Sequence, residues 1–71
     1  MSRQRDAAAR LGGRVSEARR SRGWSQSELA HQVGLSRPTI ARIEAGHHVR
    51  MGTLERVAQA LGLTLELARS N

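Results

Sequence analysis

The segment Gln26–Gly46 constrains the fold more than any other part of this chain. Ser25 precedes it and Glu28 follows three residues later, which is the spacing of a capping box at a helix N-terminus. Trp24 and Leu29 flank that box at the spacing of a hydrophobic staple, in which an apolar residue before the cap packs on the first turn. These residues predict a short helix that begins directly after Ser25.

A second short helix is predicted after a tight turn. Gly34 supplies a left-handed residue that ends the first helix, and Ser36 is a good N-cap for the next. Pro38 falls in the first turn, where a missing N–H costs no intrahelical bond, and Ile40 and Ile43 form the buried stripe. This pattern is typical of a helix-turn-helix, whose second helix enters the DNA major groove. The alternative is an ordinary αα-hairpin in an all-helical domain.

The length and residue types limit the classes of protein to consider. A chain of 71 residues forms one domain that buries only about 60% of its unfolded surface, so a partner subunit would stabilise it. The absence of cysteine excludes disulfides and thiolate metal sites, and it makes the cytoplasm the expected location. Association with the nucleoid is expected from the DNA-binding prediction. No apolar run reaches membrane-spanning length, and the basic N-terminus lacks the apolar core of a secretion signal.

The charge points to a polyanion partner. The formal net charge is +6, and all 12 Lys/Arg residues are arginine. Arginine binds phosphate through two N–H groups and reads guanine edges, so the excess suits nucleic acid. A genome rich in G and C would explain the missing lysine but not the net excess. Because Trp24 is the only aromatic residue, a stacking platform for single strands is not expected.

The ends of the predicted domain are less regular than its centre. Residues 1–10 are expected to be a flexible basic arm, and residues 11–71 the DNA-binding domain. The first secure helix is predicted over about Leu11–Arg22, with Gly12 and Gly13 each weakening its start by about 1 kcal/mol. The alternative is an earlier start in Ala7–Ala9, with Asp6 as the cap.

The loop after the second helix of the motif contains His47 and His48, but no third metal ligand lies near them in sequence, so a solvated loop is expected. Thr53 is predicted to cap the last regular helix, which Gly62 ends.

The C-terminal segment changes its periodicity. Leu63, Leu65 and Leu67 alternate with other residues, which is strand spacing. A lone strand leaves its edge unpaired, so the favoured hypothesis is antiparallel pairing with the same strand of a second copy in a two-fold dimer. The competing interpretation is a short fifth helix with Leu63 and Leu67 facing inward.

Three segments resemble the xenobiotic-response-element family, the lambda repressor and Cro type of helix-turn-helix: WSQSELA, VGLSRPTIARIEAG and TLERVAQALG. The resemblance implies an all-α domain of four to five helices, to which a short C-terminal dimerising β-strand would be added. Within the family, Trp24–Gln26 and the alternation over Leu63–Leu67 are most similar to HipB-type antitoxins. Those proteins are dimeric repressors that also bind a kinase-like toxin.

The resemblance also implies roles for individual residues. The base-contacting positions are Arg37, Pro38, Thr39 and Arg42. The phosphate-contacting glutamine corresponds to Gln26, and a partly buried ion pair corresponds to Arg19 and Glu44. Arg37 and Arg42 stand where many relatives have glutamine, which favours guanine over adenine. From the residues themselves, further phosphate contacts are expected at Ser36, Arg14, Arg20 and Arg50.

The function predicted from the sequence is a transcriptional regulator, a repressor, that binds double-stranded DNA as a homodimer at an inverted repeat. The alternative is an antitoxin that also neutralises a HipA-like kinase toxin. An enzyme is not expected, since no spacing brings a nucleophile, a base and an oxyanion donor together. No cofactor, metal or membrane partner is predicted.

Overall fold

The computed structural model describes the backbone of residues 3–64 and the side chains of residues 7–64. Four α-helices follow one another, and no strand occurs within that range. They are α1 (Arg3–Ser21), α2 (Gln26–Val33), α3 (Arg37–Glu44) and α4 (Met51–Ala60). None of the described helices is long and apolar enough to cross a membrane. The expected all-α class is therefore confirmed.

One apolar cluster joins the four helices. Its residues come from each helix at helical spacing, as an amphipathic stripe requires. The members are Val15, Leu29, Ala30, Val33, Ile40, Ile43, Val57 and Leu61. Leu29, Ile40 and Val57 are completely buried, so α2, α3 and α4 each contribute one residue to the centre of the core.

Both predicted caps of the central motif are present. The Ser25 hydroxyl accepts from the Glu28 amide at 3.0 Å, and the Glu28 carboxylate accepts from the Ser25 amide at 2.7 Å. Gly34 adopts the left-handed conformation with φ 70°, and the Leu35 amide then closes the turn on the Ala30 carbonyl at 2.9 Å. Only a glycine takes this backbone conformation without steric cost, so the turn angle between α2 and α3 depends on it.

The first helix begins at Arg3, so the predicted start near Leu11 is wrong by eight residues, and the alternative start in Ala7–Ala9 is also too late. The early part of α1 packs against the turn that follows α3, where a side chain on Gly46 would lie 3.0 Å from the Ala9 Cα. Gly46 has φ 85°, so both its backbone conformation and this contact require glycine. The contact favours continuing the helix through a pair of glycines that propensity alone disfavours. Flexibility of residues 1–10 in solution stays a prediction.

The last helix also begins earlier than predicted. Arg50 occupies its N-cap position without a side-chain capping bond, and the first turn closes through the Leu54 amide on the Arg50 carbonyl at 3.1 Å. Thr53 therefore lies inside α4, and its prediction as the cap is wrong. The half-buried Val49 packs against the core just before the helix and directs the chain into it, so packing replaces the missing cap.

The C-terminal prediction falls mostly outside the described residues. Leu63 is half-buried and packs against the core, whereas Leu65 and Leu67 lie outside the described range. The choice between a dimerising strand and a fifth helix therefore stays open. The antitoxin hypothesis also stays a prediction, because much of the resemblance behind it rests on that segment.

Candidate nucleic-acid interface

The start of α3 is held by its own side chains. The Ser36 hydroxyl accepts from the Thr39 amide at 3.3 Å and shares a hydrogen bond of 2.9 Å with the Thr39 hydroxyl. Pro38 stands in the first turn and removes a donor that would have no intrahelical partner. These features give α3 a rigid N-terminus whose dipole favours a nearby anion.

The two sides of α3 differ sharply in burial. Ile40 is completely buried and Ile43 is 2% exposed, so this side anchors the helix to the core. Arg37, Pro38 and Arg42 are exposed on the other side. The Arg42 guanidinium leans towards the loop after the helix, where Nη2 donates to the His48 carbonyl at 3.4 Å. Neither arginine is packed into the fold, so both are available to a ligand.

The acidic residue of α3 is buried in an ion pair with α1. Glu44 Oε2 accepts from Arg19 Nε at 2.6 Å, and Oε1 accepts from Arg19 Nη2 at 3.1 Å. The Arg19 Nη1 group donates to the Trp24 carbonyl at 2.7 Å. This is the ion pair that the resemblance implies, and the two side chains are only 10% and 8% exposed. Because Arg19 neutralises Glu44, the charges on the outer face of α3 are those of Arg37 and Arg42.

Burial by itself raises the pKa of Glu44, because it removes water from the charged form. Hydrogen bonds from Arg19, Gln26 and Ser16, together with the positive charge of Arg19, outweigh this effect and lower the pKa below its ordinary value. The same pairing raises the pKa of Arg19. Both groups are therefore held in their charged forms.

The predicted phosphate contacts on α1 and α2 are not all in one place. Gln26 is half-buried, and its Nε2 donates to Glu44 Oε1 at 3.1 Å. Arg20 lines a groove together with Ser16 and Glu44. Arg14 and Arg20 are six residues apart, which points them about 120° apart around the helix. The structure thus places Arg20 in a groove that Glu44 also lines, whereas Arg14 points to another side of α1.

The remaining predicted positions lie on either side of α3. Ser36 is exposed before the helix, although its hydroxyl is already used in capping. Arg50 is exposed after the following loop, at the start of α4. Each is therefore accessible to a phosphate. Of the three leucines predicted for dimerisation, only Leu63 lies within the described residues, and it packs partly against the core.

Three contributors to this region were missed from the sequence. Ser16 contributes to the lowered pKa of Glu44, and its place one turn before Arg19 on α1 was the available signal. Gly12 is buried where α1 crosses the end of α3, and no local sequence pattern predicts this contact. Arg56 Nη1 donates to the Val33 carbonyl at 3.2 Å and so satisfies the end of α2 from α4.

The region offers no site for a metal ion. Across the part of the chain whose side chains are described, no three His, Cys, Asp or Glu residues converge. His47 and His48 are both exposed in the loop after α3. What the arrangement provides is a rigid helix with two outward arginines, flanked by further arginines and by the amide of Gln26.

Comparison with known proteins gives two matches. A family described as helix-turn-helix matches residues 15–67, more than half of the chain. The chain is also similar to a protein of Neisseria meningitidis serogroup B (strain ATCC BAA-335 / MC58) named "Neisseria hypothetical transcription factor". The two are 39% identical over 44 residues, which cover 61% of this chain and 42% of that relative. The chain thus matches less than half the length of the relative.

Proposed function

The chain belongs to the helix-turn-helix family of the lambda repressor and Cro type, and on that premise we propose that it is a transcriptional regulator that binds specific sequences in double-stranded DNA. The observation that carries the proposal is the division of charge on α3. Arg37 and Arg42 are exposed, while the carboxylate of Glu44 is buried in its ion pair with Arg19. A helix of this kind suits the major groove, which is wide enough to admit it.

The proposal assigns base recognition to the exposed residues of α3. Arg37 and Arg42 would each donate two hydrogen bonds to guanine O6 and N7, a pairing worth about 1–3 kcal/mol of discrimination. Pro38 and Thr39 would offer apolar contact to a thymine methyl group. Ala41 also lies on this helix, half-buried, and as a small side chain it would allow close approach to the base edges.

Phosphate contacts would set the position of the protein on the duplex without reading sequence. Gln26 and Arg20 would approach the backbone on one side of α3, and Arg50 on the other. The N-terminus of α3 at Ser36 would add its dipole and backbone N–H groups. Arg14 remains a proposed contact supported only by its exposure and charge.

We further propose that the protein acts as a homodimer and represses transcription by occupying its operator. A two-fold dimer presents two copies of α3 to successive major grooves about 34 Å apart, so the operator would be an inverted repeat. Dimer contacts are assigned to Leu63, Leu65 and Leu67, of which Leu63 is half-buried at the end of the described chain.

The experiment is selection of genomic fragments by the purified full chain, followed by sequencing of the retained DNA. The expected result is a short inverted repeat whose half-site centres are separated by about 10 bp or a multiple of that spacing. Recovery of random fragments at moderate ionic strength would reject sequence-specific binding. Recovery of single half-sites would reject the dimer while leaving DNA recognition by α3 intact.

Arg42 and Arg50 should give different phenotypes when replaced by alanine. Arg42→Ala should relax the preference at one base pair in each half-site, with a loss of about 1–3 kcal/mol for the preferred base. Arg50→Ala should weaken binding to all sequences alike and reduce the slope of log K against log salt by about 1. Titration of a set of single-base operator variants at several salt concentrations measures both effects. An unchanged base preference in Arg42→Ala would contradict the assignment to guanine.

A further inference from the structure

The carboxylate of Glu44 connects three helices at one point. It lies at the last residue of α3, it accepts two hydrogen bonds from Arg19 on α1, and it accepts one from Gln26 on α2. Gln26 is the first residue of α2, so the carboxylate holds the side chain that stands at that helix N-terminus.

An ionised carboxylate can only accept hydrogen bonds, which determines how the amide of Gln26 must be turned. Its nitrogen, and not its oxygen, has to face Glu44, and the Nε2 to Oε1 distance of 3.1 Å agrees with this. That nitrogen carries two hydrogens, of which Glu44 takes one. The second hydrogen remains for another acceptor, and the side chain is only half-buried, so an external acceptor can reach it.

We propose that Glu44 is a positioning residue for DNA binding, which orients Gln26 to donate to a backbone phosphate. The inference rests on the proposed function, because the phosphate is that of the bound duplex. Without the carboxylate, the glutamine would have to lose side-chain rotamer freedom when it binds. Because Glu44 ends α3, its hold on Gln26 also links the phosphate contact to the placement of the helix that meets the bases.

The pairing with Arg19 explains how a buried carboxylate can hold a side chain that contacts phosphate. A lone negative charge beside the phosphate backbone would repel it. Arg19 lies against Glu44 with bonds of 2.6 and 3.1 Å, so the pair carries no net charge. The arrangement keeps the hydrogen-bond acceptor that Gln26 needs and removes most of the repulsion.

The test compares two double variants that both lack the buried ion pair. The acceptor-retaining variant, Arg19→Met/Glu44→Gln, keeps an oxygen that can accept from Gln26, whereas the acceptor-free variant, Arg19→Met/Glu44→Met, removes it. Uncharged residues of similar size often replace a buried ion pair without loss of stability, so both variants are expected to fold. Thermal unfolding of each double variant checks that it folds. Gln26→Ala is then introduced into the wild type and into each double variant.

The readout is the dissociation constant for an operator duplex recovered in the selection experiment. Gln26→Ala should weaken binding about tenfold in the wild type and in the acceptor-retaining variant, since it removes a hydrogen bond to a charged group. In the acceptor-free variant the loss should fall to about threefold or less, because the glutamine is no longer held in place. If Glu44 had only a structural role, Gln26→Ala would weaken operator binding by the same factor in both double variants.

The possible results separate the two proposals. Equal losses from Gln26→Ala in both double variants, with specific duplex binding retained, would overturn the positioning role of Glu44 alone. Failure of the wild type to bind any duplex would overturn the proposed function and this inference with it.

Discussion

Glu44→Ala is expected to lower the free energy of unfolding by about 3–5 kcal/mol, the loss typical of removing one partner from a buried ion pair. The substitution leaves the guanidinium of Arg19, a residue only 8% exposed, without its carboxylate. Small domains are stable by only about 5–15 kcal/mol, so this change would remove much of the stability. Urea unfolding followed by circular dichroism measures it, with the midpoint expected to move to lower denaturant.

The matched control is Arg19→Met/Glu44→Met. Here both charges are removed together, so no uncompensated buried charge remains, and stability should stay near that of the wild type or exceed it. If the single and double variants unfold at the same denaturant concentration, an unpaired Arg19 is not the source of the loss. A Glu44→Ala midpoint equal to that of the wild type would show that the pair contributes no stability.

The same pair predicts how stability responds to acid. The pKa of Glu44 is lower in the folded protein than the ordinary value of 4.5. A lowered folded-state pKa means that the unfolded chain binds its proton first, so the stabilisation is present above about pH 4.5 and is lost as pH falls towards the folded-state pKa. The wild type should lose stability across this window, and the Arg19→Met/Glu44→Met variant should lose less. Equal acid sensitivity of the two proteins would contradict the assignment.

Gly12→Ala is the second substitution expected to have a large effect, a loss of about 1–3 kcal/mol from overpacking. A methyl group on Gly12 would lie 2.8 Å from the Glu44 carbonyl oxygen and closer still to that of Ile43. Both are backbone atoms, so relief requires α1 to move away from α3. The better helix propensity of alanine, worth up to about 1 kcal/mol, offsets only part of this cost.

Gly13→Ala is its control within the same helix. A Cβ at Gly13 meets no atom within 4 Å, so only the gain in helix propensity applies. Its free energy of unfolding should rise by about 1 kcal/mol. Denaturant unfolding of the two variants side by side provides the comparison. If the Gly12→Ala variant is as stable as the Gly13→Ala variant, the crossing of α1 and α3 is looser than the contact indicates.

The central motif was predictable because its signals are local. Ser25 and Glu28 cap α2 through residues three apart, and Ser36 caps α3 through Thr39 in the same way. Short-range bonds of this kind need no knowledge of the rest of the chain. The exposure of Arg37 and Arg42 followed equally from the helical spacing of the buried Ile40 and Ile43.

The failed predictions share a different cause. Gly12 and Gly13 were expected to weaken the start of α1, yet the helix runs through them because Ala9 and Gly12 pack against the end of α3. Thr53 was expected to cap α4, but the helix begins at Met51 beside the packed Val49. In both places a contact between distant parts of the chain outweighed a local preference of about 1 kcal/mol.

The linear chain determined on its own that two short capped helices would present an arginine-bearing surface, since capping bonds and helical periodicity act over three or four residues. Only the folded molecule decided that Glu44 would gather Arg19 and Gln26 into one network, and that Gly12 would allow the crossing beside it. The hydrogen bonds of Glu44 join it to Gln26 and Arg19, which lie 18 and 25 positions away in the sequence. Contacts between such distant positions form only when the helices pack.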